Sequence, residues 1–96
     1  MSVRMFYKTQ RELAGDLNEL IDTYWNDTLS EHDLVEGIVK VYINNQDKLL
    51  NEQGFTTVIS QQCGKRRIEV IRGVLIHKGY EIPETRLGRE GFINGK

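Results

Sequence analysis

Apolar side chains recur at steps of three and four residues early in the chain, the spacing of one helix face. Thr9 and Glu12 have the spacing of a capping box, so a helix is expected to begin directly after Thr9. We predict this first helix over about residues 10–26. Its inward face would consist of Leu13, Ala14, Leu17, Leu20, Ile21, Tyr24 and Trp25.

A second helix is predicted to follow a short polar loop. Ser30 has the side chain of an N-cap, and Leu29 is placed to pack against Leu34. The apolar positions of this helix cover an arc of about 200° when each residue advances by about 100°. An arc this wide predicts contacts on two sides, so we expect this to be the central helix. With the first helix it would form an αα-hairpin.

The apolar spacing resumes at Phe55 and continues to Leu75, after a short extra turn expected at Leu49-Leu50. One interpretation is a single helix over about 57–78. The other is that Cys63-Gly64 divides a short helix from a longer one. Glycine costs only about 1 kcal/mol inside a helix, so its presence does not decide between them. Gly79 is predicted to cap the end, with Tyr80 folding back onto Leu75.

These elements predict a mainly α fold, a small three- to four-helix bundle with an N-terminal αα-hairpin and an extended N-terminal arm. We expect residues 1–83 to form one domain and residues 84–96 a glycine-rich, flexible tail. The alternative for the tail is a short β-hairpin with the arm over residues 2–7. Each main helix contains one glycine, interpreted as a tolerated weak position rather than a close approach by a partner. These glycines are Gly15, Gly37 and Gly73.

The composition fits one small globular domain. The chain has 96 residues, of which 39% are hydrophobic and 28% charged, and a domain of this size has little interior for a large active site. The single cysteine excludes an internal disulfide or a cysteine-cluster zinc site. No apolar run approaches the ~18 residues of a membrane span, and no secretory segment follows Met1. We therefore expect a cytoplasmic protein without a cofactor.

Candidate catalytic groups are few. A nucleophile would have to be Cys63 with His32 or His77, and nothing in the spacing requires either pair to meet. Basic neighbours could favour the Cys63 thiolate, but a buried apolar role is the preferred interpretation. The acids of the first helix, Asp16, Glu19 and Asp22, fall on its solvated face, where no metal site is expected. We predict that the protein is not an enzyme.

Charge is unevenly distributed, although the net charge is only −1. Residues 9–54 carry ten acidic and three basic side chains, whereas residues 63–80 carry five basic and one acidic. Arg67 falls on the inward arc of the last helix, so either it pairs with an acid of an earlier helix or the helix begins later. Internal charge complementarity is the structural alternative to a binding role. The candidate binding residues are Lys65, Arg66, Arg67, Arg72 and Lys78.

Two functional hypotheses follow. The preferred one is a small non-enzymatic binding or regulatory module whose partner is another protein, the chain itself being a monomer or small homo-oligomer. The alternative is a helix-turn-helix DNA-binding regulator, with residues 56–64 as the supporting helix, Gly64 as the turn and residues 66–78 as the recognition helix. Lys65 and Ser60 depart from the usual apolar and small residues of that motif. A pI of about 6.1 also argues against strong attraction to a polyanion.

Four segments of the chain resemble a family of short uncharacterised proteins from spore-forming Gram-positive bacteria and their phages. They lie within about residues 7–76. The resemblance implies a genomic setting that is often prophage-like or mobile, and it implies no activity, cofactor or site residue. The matching segments are Tyr7 to Ala14, Leu20 to Trp25, Phe55 to Ile59 and Gln62 to Arg67.

Overall fold

The helices lie close to their predicted positions. A computed structural model of the protein describes residues 6–52 and 54–82. Within these residues the protein is a small, mainly α bundle with an N-terminal αα-hairpin, as predicted. The elements are α1 (Gln10–Trp25), α2 (Glu31–Asn44), α3 (Gln46–Leu49), β1 (Leu50–Asn51), β2 (Gly54–Phe55) and α4 (Thr57–His77). The predicted tail over residues 84–96, its alternative hairpin and most of the N-terminal arm lie outside the described residues.

Both predicted N-caps are present. The Thr9 hydroxyl accepts a hydrogen bond from the Glu12 N–H at 3.1 Å, and the Ser30 hydroxyl accepts one from the Asp33 N–H at 3.1 Å. Each cap satisfies a backbone donor that has no partner inside the helix. The loop between α1 and α2 turns at Asp27, whose φ of 64° lies in the left-handed region. That conformation ends the helical path one residue after the C-cap, Asn26.

The small β-hairpin was not predicted. Leu50 pairs with Phe55 and Asn51 with Gly54 in an antiparallel ladder. Gly54 has a φ of 120°, which explains why a glycine occupies this turn. Strands of two residues are too short to show alternation, so the sequence carried no periodic signal for them.

The core lies between α1, α2 and α4. The one described part of the N-terminal arm is tied to it, because Tyr7 is buried and its N–H donates to Asn45 Oδ1 at 3.3 Å. The Tyr7 hydroxyl donates to Asp16 Oδ2 at 2.9 Å. Asn45 is itself buried and donates to the Val41 carbonyl at 3.0 Å. The fully covered apolar side chains include Leu13, Leu17, Leu20, Ile21, Ile38, Val41, Leu49, Ile59, Ile71 and Leu75.

The C-terminus of α4 is capped as predicted. Gly79 has a φ of 99° and its N–H donates to the Ile76 carbonyl at 2.9 Å, while the Tyr80 N–H donates to the Leu75 carbonyl at 3.0 Å. These two bonds define a Schellman motif. The chain then turns back, and the Tyr80 ring packs against Tyr42 of α2 at 4.8 Å between centroids. Among the described helices, none is both long and apolar enough to cross a membrane.

One of the three helical glycines occupies a close approach. A Cβ on Gly37 of α2 would lie 2.7 Å from Leu20 Cδ2 of α1, and Leu20 is almost completely buried. Gly15 and Gly73 have nothing within 4 Å of the same position. The interpretation as tolerated weak positions therefore fits Gly15 and Gly73. It was wrong for Gly37, which allows α1 and α2 to pack closely.

We predict that Gly37→Ala lowers the free energy of unfolding by about 1–2 kcal/mol, because the new methyl group overpacks against Leu20. The matched control is Gly73→Ala, which we expect to stabilise the protein by about 0.5–1 kcal/mol since alanine has the higher helix propensity. Urea unfolding followed by circular dichroism measures both. Equal stabilisation by the two substitutions would show that the contact with Leu20 carries no constraint.

Candidate functional site

The helix that carries the basic residues is broken at Gly64. Gly64 has φ 84° and ψ 164°, a conformation that is essentially restricted to glycine. Of the two interpretations left open by the sequence, the division at Cys63-Gly64 is confirmed. The carbonyl oxygens just before the break accept side-chain hydrogen bonds. Asn18 Nδ2 of α1 donates to the Gln62 carbonyl at 2.9 Å, and Arg67 Nη1 donates to the Cys63 carbonyl at 3.1 Å.

Arg67 joins α4 to α1 through a forked ion pair. Its Nε and Nη2 atoms donate to Asp22 Oδ1 at 3.0 and 2.9 Å, and Nη2 also donates to Asp22 Oδ2 at 2.9 Å. A bidentate arrangement fixes the guanidinium plane as well as its position. The sequence left open whether Arg67 pairs with an earlier acid, and the structure shows that it does. The positive charge of Arg67 is therefore largely neutralised by Asp22 within the molecule.

Trp25 lies beside this ion pair and remains 43% exposed. The Cζ atoms of Arg66 and Arg67 are 5.5 and 5.8 Å from its ring centroid, within the range of cation–π contacts. The apolar spacing predicted Trp25 on the inward face of α1, whereas its ring lies partly at the surface. Its position as the last residue of the helix was the available signal, since a helix end extends beyond the elements that cover its middle.

The other predicted basic residues do not form a single patch. Lys65 and Lys78 are exposed, but thirteen residues of a straight helix would separate them by about 20 Å. Arg72 is half-buried, with its Cζ atom 5.8 Å from the centroid of the Phe55 ring. The structure therefore brings Arg66 and Arg67 together at Trp25. Lys65 directly precedes them, whereas Arg72 and Lys78 lie further along the helix.

The solvent-facing side of α4 after the break combines charged, small and apolar positions. We define the α4 outer face as the exposed residues of α4 after the break, together with Trp25. Ile76 is 50% exposed, unusual for an isoleucine of a small domain. Gly73, with open space around it, leaves the helix backbone accessible between Arg66 and Ile76. The exposed residues of α4 after the break are Lys65, Arg66, Glu69, Gly73, Ile76 and His77.

One group of side chains within the described residues has atoms that could ligate a metal. The ligand atoms of His32, Asp33 and Glu36 lie within 4.8 Å of one another, and His32 Nε2 is 3.1 Å from Glu36 Oε2. All three side chains are exposed at the start of α2, so water competes for every one of them. His32, one of the two histidines considered beside Cys63, therefore lies at the surface.

Cys63 is buried, as the preferred interpretation of the sequence predicted. Desolvation by burial raises the pKa of its thiol from 9.0 to about 11, and the positive charge of Arg67 offsets only part of this effect. The thiol is therefore protonated at neutral pH. A low-pKa thiolate, which the basic neighbours had suggested, is not what this environment produces.

A family model describing conserved hypothetical proteins matches residues 4–76, which include α1, α2, the hairpin and nearly all of α4. The chain belongs to this family. Its matched region contains Trp25, the Gly64 break and Arg67, so the arrangement around the ion pair lies inside the family segment. No curated protein matches the chain, and no solved structure matches it.

We predict that Gly64→Ala destabilises the protein by about 1–3 kcal/mol, because alanine is strained at this φ and ψ. Gly73→Ala in the same helix is the matched control, since Gly73 is helical and surrounded by open space. Urea unfolding gives the two free energies. If both variants are stabilised alike, the break is not needed for the packing of α4 on α1.

The raised pKa of Cys63 predicts a loss of stability at alkaline pH. The unfolded thiol ionises near pH 9.0 and the folded one near 11, so the unfolded state releases its proton first as the pH rises. The contribution of this thiol to the free energy of unfolding is fully present below pH 9, and roughly 2–3 kcal/mol of it is lost towards pH 11. Unfolding free energies at pH 8 and 11 should therefore differ less in Cys63→Ala than in the wild type. An identical pH dependence in both proteins would contradict this.

Proposed function

We propose that the protein is a small non-enzymatic binding module that docks on another protein through the α4 outer face. The observation that carries the proposal is the half-exposed ring of Trp25, held beneath the guanidinium groups of Arg66 and Arg67. Tryptophan and arginine are the residues most enriched at the energetic centres of protein interfaces. Here the two kinds of residue are already in contact in the free chain, and such preorganisation reduces the entropy lost on binding.

The chemistry of this surface also indicates the kind of partner. Lys65 and Arg66 are exposed cations, Glu69 is the one exposed acid among them, and Ile76 adds an apolar contact. A complementary surface would present carboxylates around an apolar side chain. Such complementarity would guide the orientation and rate of association more than it would increase affinity.

The alternative remains a DNA-binding regulator. The break at Gly64 does divide α4 into two helical segments, as that hypothesis requires. However, the turn of a helix-turn-helix usually spans three or four residues, and here a single residue is non-helical. Arg67 is committed to Asp22, and Arg72 is half-buried. These contacts favour protein docking over phosphate binding.

We also propose a setting for this module. The resemblance to short proteins of spore-forming Gram-positive bacteria and their phages suggests that the module is encoded by a mobile element. The reducing conditions of the cytoplasm suit the single buried Cys63. In that setting the partner would be a cytoplasmic protein of the host.

Site-specific photocrosslinking tests the docking surface. A photoreactive amino acid is placed at His77 on the α4 outer face or at Glu19, an exposed position of α1 outside that face. In host lysate we expect an adduct of one defined mass from position 77 and none from position 19. Trp25→Ala should reduce binding of the partner about 30-fold, the effect of removing a central interface residue worth about 2 kcal/mol.

The controls separate docking from unfolding and from DNA binding. Circular dichroism must show that Trp25→Ala retains its helices. Adducts that form equally from both positions, or that persist in Trp25→Ala, would contradict the proposal. Gel shifts across a salt series test the alternative. A DNA affinity that falls steeply with salt and is lost when Lys65 and Arg66 become alanine would establish the DNA-binding regulator instead.

A further inference from the structure

Helix α2 carries a second apolar stripe at the edge of its core-facing side, and the middle residue of this stripe, Val39, also packs against the core. Leu34, Ile38 and Val41 are buried on one side of the helix. Val35 and Val39, four residues apart, are only half-buried, and Ile43, a further four residues on, is 50% exposed. The wide apolar arc in the sequence predicted contacts on two sides of α2. Within the described residues, this second side lines an open groove.

We propose that the stripe of Val35, Val39 and Ile43 is the contact surface for a second copy of this chain, packed antiparallel about a two-fold axis near Val39. In that arrangement residue 35 of one copy faces residue 43 of the other, and Val39 faces its own equivalent. Spacing of four residues on either side of Val39 makes the stripe complementary to itself, as an isologous interface requires. This proposal is independent of docking through the α4 outer face.

The charges beside the stripe fit the same arrangement. Glu36 and Lys40 are exposed and flank the stripe on one side of the helix. A two-fold axis perpendicular to the helix pair keeps that flank on the same side in both copies. At 1.5 Å per residue, Glu36 of one copy and Lys40 of the other are then offset by only about 3 Å along the helix axis. Each dimer would contain this oppositely charged pair twice, against one like-charged pair, because the two Lys40 side chains are also offset by about 3 Å.

The distribution of charge along α2 also favours antiparallel over parallel packing. The first turn of α2 contains Glu31 and Asp33, and its last turn contains no basic residue. Parallel packing would place these acidic first turns side by side. Antiparallel packing separates them and brings Lys40 of each copy towards the acidic half of the other. The second copy is therefore the occupant that the charge pattern supports.

Sedimentation equilibrium over concentrations from about 10 µM to about 1 mM tests the association, since an interface of one short helix is smaller than the standard size and should be weak. We expect the mass of the wild type to approach that of two chains. Ile43→Glu should remain monomeric. Ile76→Glu is the matched control, because both isoleucines are 50% exposed on helices. It should dimerise like the wild type.

A charge-reversal cycle tests the antiparallel register. Glu36→Lys and Lys40→Glu each place like charges opposite one another and should weaken dimerisation about tenfold, whereas the double variant should restore it. Circular dichroism confirms that each variant is folded. A wild type that stays monomeric at about 1 mM, dimerisation unaffected by Ile43→Glu, or a double variant weaker than both single ones would overturn the proposal.

The same two isoleucine variants separate this inference from the proposed function. Ile43→Glu should abolish dimerisation and leave the photocrosslink from position 77 intact. Ile76→Glu should weaken the crosslink and leave dimerisation intact. If one variant removes both properties, the two surfaces are not independent, and the assignment of the second copy to α2 fails.

Discussion

The guanidinium group of Arg67 connects three parts of the molecule around the break at Gly64. It holds the Asp22 carboxylate of α1, the Cys63 carbonyl before the break and one side of the Trp25 ring. Partly exposed ion pairs contribute little stability, so the main effect of this contact is on orientation. It fixes how the second segment of α4 lies on α1, and hence where Arg66 and the rest of the α4 outer face point.

The uneven charge of the sequence therefore has two roles. One basic residue neutralises an acid of α1, and Arg72 lies half-buried against Phe55. Of the exposed cations that remain, Lys65 and Arg66 are adjacent, and Lys78 lies at the far end of the helix. A polyanion would be attracted by a continuous row of such charges. A compact contact around one aromatic ring instead suits a folded protein surface, which is why protein docking is the proposal that the geometry supports better.

Local rules predicted most of the fold. The caps at Thr9, Ser30 and Gly79 each depend on residues within four positions, so the sequence alone identified the helix ends. The sequence did not show whether the helix breaks at Gly64, because a glycine inside a helix costs only about 1 kcal/mol and packing can outweigh that.

Long-range contacts decided the rest. The partner of Arg67 lies 45 residues away, and no spacing rule connects them. Trp25 was assigned to the core because periodicity shows which way a side chain points. It does not show whether a neighbouring helix extends far enough to bury that side chain. Of the five predicted basic residues, four lie in α4 and Lys78 is its C-cap. Their separation into bound and exposed groups required the tertiary structure.

The separation in sequence between α1 and α4 has a consequence for synthesis on the ribosome. Asn18 bonds to Gln62, which lies 44 positions further along the chain, and Asp22 bonds to Arg67, which lies 45 positions further. While the nascent chain is short, α2 can already cover one side of α1, but the side that receives α4 is open to solvent until nearly the whole domain has left the exit tunnel. Completion of the core must therefore be a late event in the folding of this domain.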